Sequence, residues 1–447
     1  MITARDVAYE LLERVRSTDS YANLLLPDLL SRHRLSKADS AMCVELSFGT
    51  LRNQGFYDWI AAKATSREVS AIDPNALDVI RLGAHQLLGM RTPTHAALNE
   101  TVNLAKKVLR QGAVGFVNAA LRRVSEKSLE EWTALLAKSE KDQIKRLSIQ
   151  YSHPEWIVRA LKLALEADGR DDLEKLLKAD NAAPSVNLVA LPHLRLTNQD
   201  GLVNDGPSPL GYTLEGGDPT DLTDVRTGAL RVQDQGSQLA ALALSRVRPA
   251  AKGEIWLDLC AGPGGKAALL AAEAQVSGAG MVANEVSPHR AKLVEQALDF
   301  SGLKAEVVCQ DGRDLNLAQF DRIMIDAPCT GLGALRRRPE SRWRKKPEDL
   351  KELTVLQSEL LASAWEHLKP GGVLAYVTCS PHPAETTGVV SSHLAKHKDA
   401  ELLDAWATLE GISDELIRNE NRKTVQLWPH TNDTDAMFIS LITKKVG

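Results

Sequence analysis

The sequence predicts an α/β protein in which an all-helical region precedes a parallel sheet covered by helices on both faces. Three observations carry this reading. Apolar residues recur at helical spacing through the first 140 positions, and strand-like and helix-like segments alternate from 255 onward. The first strand of that alternating part runs into a glycine turn, DLCAGPGGK, at 258–266. With 447 residues, 44% of them hydrophobic, the chain can build more than one core. The expected divisions are an all-helical domain over 1–140, a connecting subdomain over 141–245 and the sheet domain over 246–447.

In the first part, Thr3 and Asp6 have capping-box spacing, with Asp in place of the usual Glu, and Val7, Leu11, Leu12 and Val15 follow on one helical face. Asp73-Pro74 begins another helix, carrying Leu77, Ile80, Ala84 and Leu87. Leu98, Val102, Ala105 and Leu109 mark a third, and Val117, Ala120, Leu121 and Val124 a fourth. Lys106, Lys107 and Arg110, then Arg122 and Arg123, gather around these last two helices. They read either as a solvated face or as phosphate contacts for RNA. Between 150 and 230 the signals are mixed, and Arg231–Leu242 then leads into a helix just before the glycine turn, which places it beside the ligand site.

Strands are expected near 255–260, 280–285, 305–309, 321–326, 372–378, 424–428 and 436–443. Seven strands with helices between all but the last pair suggest the Rossmann-like sheet of S-adenosylmethionine-dependent methyltransferases, whose final hairpin is antiparallel. Ligands in such sheets sit at the carboxyl ends of the strands. There, Gly262, Gly264 and Gly265 with Pro263 let the backbone approach a nucleotide-like ligand, while the next helix points free N–H groups at the same spot. Glu285 ends the second strand, where a carboxylate can accept from both hydroxyls of a ribose, and Asp311 follows the third, placed to accept from an adenine amino group. Together these acids point to an adenosine site.

Two thiols emerge beside it. The fourth strand, FDRIMID, leads into DAPCTGLG with Cys329, and the fifth, GGVLAYVTCS, ends at Cys379. Carbon 5 of a pyrimidine is a poor nucleophile until a thiolate adds to carbon 6; the resulting enamine can then attack a sulfonium methyl. Asp326 could meet the cytosine amino group or protonated N3, and Lys266 could supply the positive potential that favours thiolate. Arg336, Arg337, Arg338, Arg342, Trp343 and Arg344, with Lys345 and Lys346, form a basic loop expected to clamp RNA phosphates and stack a base. Chemistry alone leaves open which thiol attacks.

Composition narrows the alternatives. Five cysteines, an odd number without C-x-x-C spacing, argue against a disulfide framework and against zinc. The N-terminus has charges from Arg5 onward and no apolar run suited to a signal peptide or membrane span, so a cytoplasmic protein is expected. Net charge is −4, but residues 1–150 carry 21 basic against 17 acidic residues, +4, and the remainder 33 against 41, −8. RNA affinity must therefore come from local patches.

The stretch THAALNETVNLAKKVLRQGAVGFVNAALRRV, 94–124, resembles the helical RNA-binding domain of the antitermination factor NusB, which implies RNA contact. DLCAGPGGK, DAPCTGLG and TCS together resemble the RNA 5-methylcytosine methyltransferases, and with the NusB-like start the chain resembles the bacterial small-subunit ribosomal RNA group with that domain order. The resemblance implies that Cys260, Ala261, Gly262, Pro263, Gly264, Gly265, Lys266, Glu285, Asp311 and Asp326 surround S-adenosylmethionine. It further implies that Cys379 is the nucleophile and that Cys329 assists product release. Arg338-Pro339 stands where the family would have His-Pro, and DAMF at 435–438 lacks an expected Gly. The expected partner is RNA, most simply 16S rRNA or an assembling small subunit, bound by a monomer without metal. The alternatives are tRNA as substrate, amine methylation, or an RNA-binding assembly factor with a methyltransferase-like body and no turnover. The missing N-P-P-Y turn weighs against amine methylation.

Overall fold

Thr3 starts the first helix, Ala4–Ser17, through the reciprocal bonds its spacing to Asp6 predicts. The Asp6 N–H donates to the Thr3 hydroxyl at 3.3 Å, and the Thr3 N–H donates to the Asp6 carboxylate at 2.8 Å. In this computed structural model, residues 2–18 and 20–446 are described. The chain divides into two units: Met1–Lys162 with Asp171–Ala183 and Leu335–Lys345, and Leu163–Arg170 with Pro184–Ala334 and Lys346–Gly447.

The first unit is helical. Its most buried helix is Pro74–Leu88, capped by the Asp73 side chain on the Ala76 N–H and opened by proline at its first position. Helices Ala4–Ser17, Lys37–Arg52, Gln54–Thr65, Thr94–Val108 and Gln111–Val124 all pack against it. Gly83 permits the closest approach: a Cβ there would lie 2.5 Å from Leu121 Cδ2. The helical run passes the expected boundary at 140, through Leu129–Ser139 and Gln143–Gln150. Residues 141–245 are divided between the two units.

The basic loop requires a correction. Residues 335–345 belong to the first unit, and Arg342 is a core residue there, with no solvent exposure. Its guanidinium donates to the Ser152 carbonyl at 3.0 Å, to Asn181 Oδ1 at 2.8 Å and to the carbonyls of Arg52, Tyr151 and Asp180 at 3.3–3.4 Å. Arg342 thus satisfies buried backbone acceptors and cannot reach an RNA phosphate. Arg336 is also buried, and its carbonyl accepts from the Arg52 guanidinium. Arg344 donates to the Val15 and Ser20 carbonyls. Arg338 and Arg344 each lie 5.2 Å from the Tyr21 ring centre, while Arg338 and Trp343 remain exposed and Arg337 half-buried. A run of basic letters does not distinguish a solvated loop from a packed one, because the deciding carbonyls are distant in sequence.

The second unit carries a small antiparallel sheet, Leu202–Val203, Gly211–Leu214, Val186–Ala190 and Leu230–Val232 in spatial order, and a larger one. The strands of the larger sheet are β1 (Ile255–Asp258), β2 (Gly280–Asn284), β3 (Glu306–Val308), β4 (Phe320–Asp326), β5 (Leu368–Thr378), β6 (Ala400–Leu402), β7 (Val425–Gln426) and β8 (Phe438–Lys444). Their order is β6-β8-β5-β4-β1-β2-β3, with β7 paired to β8. Strands β1 to β5 are parallel; β8 is antiparallel to β5, β6 and β7. The antiparallel final hairpin is thus present, and the sheet has eight strands rather than seven. The addition, β6, is a three-residue edge strand, too short to show a periodic pattern.

Alternation along the strands fills a core on each face. Trp256, Met324, Ala375 and Val377 pack with residues of helices Gln235–Ser245 and Gly265–Ser277. Leu257, Ile323, Ile325, Leu374 and Tyr376 pack on the other side with helix Asp349–Glu366. The chain moves outward from β1 to β3 and then returns to β4 beside β1. That reversal opens a crevice at the carboxyl ends of β1 and β4.

Arg342→Ala is expected to destabilise the protein by about 3 kcal/mol, through five stranded acceptors and a buried void, while leaving the salt dependence of RNA binding unchanged. Thermal unfolding and binding titrations across salt concentrations measure the two effects.

Candidate active site

The strand ends are stitched to one another just beyond the sheet. The Leu259 N–H donates to the Met324 carbonyl at 2.9 Å, Ala261 to Asn284 at 2.8 Å, Glu285 to Val308 at 3.1 Å and Ala327 to Val377 at 2.9 Å. Asn284, which the sequence did not single out, bridges three of these ends: its amide donates to the Leu259 and Gln310 carbonyls, and its oxygen accepts from Gln310 N–H. The polar residues predicted at separate strand ends are thereby brought to one crevice.

In the glycine turn, the Gly262 N–H donates to Glu285 Oε2 at 3.1 Å, and Ser287 N–H to Glu285 Oε1 at 3.0 Å. A Cβ at Gly262 would lie 2.3 Å from Glu285 Oε2, so only glycine lets the turn close on this carboxylate. Gly264 has φ of 108° and caps helix Gly265–Ser277, whose N-terminus faces the crevice. Arg290, also missed from sequence, lies 3.4 Å from Glu285 and donates to the Gly262 carbonyl. Asp311 stands beyond β3 in an ion pair with Arg313 at 2.6 Å, which draws its carboxyl down to about 2. A glycine cradle, a helix N-terminus and a carboxylate with lone pairs to spare fit the adenosine and carboxylate ends of S-adenosylmethionine.

Asp258 lies beneath this turn, fully buried, with no hydrogen-bond partner of normal geometry for either oxygen among the described residues. Burial and then the nearby Asp326 push its carboxyl up to about 7, although the Cys260 N–H favours the charged form. Asp326 is instead paired with Lys266 at 2.8 Å. Burial opposes the Lys266 charge, but Asp326 outweighs it and holds the ammonium above its ordinary range. Cys260 is half-buried, and desolvation with the carboxylates of Asp258, Asp326 and Glu285 raises its thiol.

The other two thiols meet. Cys329 Sγ and Cys379 Sγ are 3.4 Å apart. Strands β4 and β5 set this proximity through their parallel register, with Asp326 opposite Val377. At that distance the pair accommodates one negative charge and one shared proton. Cys379 is lowered, first by its hydrogen bond with Cys329 and against burial; the Asp326 charge opposes and the Lys266 charge helps. Cys329 is raised by the same bond, then by burial and by the charges of Cys379, Glu385 and Asp326. The two thiols shift in opposite directions, Cys379 down and Cys329 up, within a contact to which either sulfur can donate.

Sequence reading also passed over Glu385, in the loop after Cys379. Its buried carboxylate accepts from Thr330 N–H at 2.8 Å, Thr330 Oγ1 at 2.5 Å, Ser380 Oγ at 2.6 Å and Gln357 Nε2 at 3.1 Å. Nothing local marks this residue, since its partners lie on three separate segments.

The helical candidates for RNA contact divide in two. Lys107 pairs with Asp6 at 2.8 Å and Arg123 donates to the Ala64 carbonyl at 2.8 Å, so both already serve the helical packing. Lys106 and Arg122 are exposed, on helices Thr94–Val108 and Gln111–Val124.

Two measurements test the site. Asp258 binds a proton more tightly folded than unfolded, so its contribution to stability is full at low pH and is lost as pH rises from about 4 through about 7. Asp258→Asn should therefore raise the thermal midpoint at pH 8, with the difference shrinking toward pH 5. Gly262→Ala should weaken S-adenosylmethionine binding by at least about tenfold, ~1.4 kcal/mol, in calorimetry.

Comparison with known proteins agrees with this geometry. Residues 247–443 match the 16S rRNA methyltransferase RsmB/F family, and residues 2–126 match the NusB family. The chain is 42% identical to a Mycobacterium tuberculosis protein bearing a methyltransferase name, over 99% of this chain and 96% of that one. It is 32% identical to the ribosomal RNA small subunit methyltransferase B of an Enterobacter species, over 99% of both chains. The crystal structure of PH0851 shares the fold, with a TM-score of 0.80 at 20% identity and 99% of each chain covered. With the glycine turn, the acids and the paired thiols in place on a methyltransferase sheet, and with full-length relatives above 30% identity, the chain belongs to the RsmB/F family of S-adenosylmethionine-dependent RNA methyltransferases.

Proposed function

We propose that this enzyme methylates carbon 5 of a cytosine in small-subunit ribosomal RNA through a covalent adduct on Cys379. The observation that carries the reading is the 3.4 Å contact between Cys379 and Cys329, at the mouth of β4 and β5 and within the field of Lys266. Ribosomal RNA is favoured over tRNA because the Enterobacter relative, similar along its whole length, is named for the ribosomal small subunit.

In this mechanism the Cys379 thiolate forms a bond to carbon 6 of the cytosine, and the ring's electron pair moves to carbon 5. Asp326, held by Lys266, accepts a hydrogen bond from the cytosine amino group or protonated N3 and so stabilises the electron-rich ring. Bound S-adenosylmethionine supplies the electrophilic methyl that carbon 5 attacks; Glu285 and the Gly262 turn are the residues that would hold it. A base then removes the carbon 5 proton, the carbon 5–carbon 6 double bond re-forms and the sulfur–carbon bond breaks. Cys329, 3.4 Å from Cys379, stabilises the departing thiolate by hydrogen bonding. Cys260 stays protonated and takes no part.

Cys379→Ser is expected to abolish both turnover and covalent capture of RNA, whereas Cys329→Ser should accumulate a protein–RNA adduct that survives denaturing electrophoresis. The opposite pattern would exchange the two roles. Nucleoside mapping of ribosomal and transfer RNA from cells lacking the protein should show one missing 5-methylcytosine, in small-subunit RNA; its loss from tRNA instead would overturn the substrate assignment.

A further inference from the structure

The two reacting sulfurs are carried by loops that end different strands, and loops of that kind drift unless something joins them. They meet directly through the Thr330 and Ser380 hydroxyls at 3.1 Å and through the Gly333 N–H on the Cys379 carbonyl at 2.8 Å, and one buried carboxylate reaches both. Glu385 bonds the backbone N–H and hydroxyl of Thr330, the residue after Cys329, and the hydroxyl of Ser380, the residue after Cys379. Gln357 completes the set from helix Asp349–Glu366: its amide donates to Glu385 Oε1 and, at 2.8 Å, to the carbonyl of Pro328, the residue before Cys329. The Glu385 carbonyl is anchored on β5 by the Tyr376 hydroxyl at 2.7 Å.

Two features mark this as more than ordinary loop packing. A carboxylate with no solvent exposure and only uncharged hydrogen-bond partners is costly to bury, so a neutral or apolar side chain would serve stability as well. A carboxylate is also acceptor-only, so all four donors must turn inward at once, and neither loop can shift alone without stranding buried charge.

We propose that Glu385 is the positioning residue of this active site: its carboxylate clamps the Cys329 and Cys379 loops at sulfur–sulfur contact and sets a buried negative charge beside them. The proposal rests on the assignment of the two thiols given above, and it adds a residue that touches neither substrate nor cofactor. Glu385→Ala removes clamp and charge together. Glu385→Gln keeps the oxygen that faces Thr330 N–H and Gln357, and the two hydroxyls can rotate to accept from its amide, so it removes mainly the charge.

The test uses full-length protein with unmodified small-subunit ribosomal RNA and S-adenosylmethionine. Glu385→Ala should lower kcat about 100-fold and Glu385→Gln about tenfold, with KM for S-adenosylmethionine held within about threefold, since a displaced reacting group costs turnover rather than cofactor binding. In RNA-free protein treated with iodoacetamide at neutral pH, peptide mass spectrometry should find Cys379 alkylated well ahead of Cys329 in the parent and the two at similar rates in both variants. Thr330→Val with Ser380→Ala should reproduce the kcat loss of Glu385→Ala. A kcat within about threefold of the parent, an unchanged alkylation ratio, or a parallel loss of cofactor affinity would each overturn the clamp. Turnover retained by Cys379→Ser would instead refute the nucleophile assignment, and the alkylation ratio would still report on Glu385.

Discussion

Two thiols in van der Waals contact cannot both ionise, and everything distinctive about this crevice follows from that constraint. The first proton lost leaves a charge that the remaining S–H stabilises, and the second would place like charges 3.4 Å apart. Their surroundings are mixed in sign: Asp326 and Lys266 act in opposite directions on Cys379, and Glu385 and Asp326 oppose charge on Cys329.

That contact depends on the sheet. Parallel β4 and β5 deliver their carboxyl ends side by side, and the bonds between neighbouring strand ends fix the loops that follow. The same ends carry the glycine turn, Glu285 and the Lys266–Asp326 pair, so ligand-binding and reacting groups share one rigid platform. Cys260 illustrates the importance of context. It lies half-buried in the glycine turn, where desolvation and the surrounding carboxylates raise its thiol.

The basic loop shows how charge and function separate. Arg342 is among the largest fully buried side chains, and it is spent on carbonyls that would otherwise be unsatisfied in the helical unit. Its planar fork of donors suits several acceptors at once, which a lysine could not reproduce. Within the same eleven positions, Arg338 and Trp343 remain at the surface. A cluster that reads as one patch is thus divided between packing and exposure.

The sequence by itself determined the layered architecture, the glycine turn, the acids at the second and third strand ends and the presence of two thiols after β4 and β5. Each of these is written locally, in a periodicity or a short motif whose meaning needs no distant partner. The Thr3 cap is of the same kind, since its two bonds span three residues. Only the tertiary structure decided that the two thiols meet, that Glu385 reaches both loops, that Arg342 is interior and that β6 completes the edge of the sheet. Those outcomes depend on groups 50, 55 and more than 150 positions apart being brought within hydrogen-bond reach, and on the burial that makes such contacts matter. Neither distance nor dielectric is encoded in any local stretch of the chain.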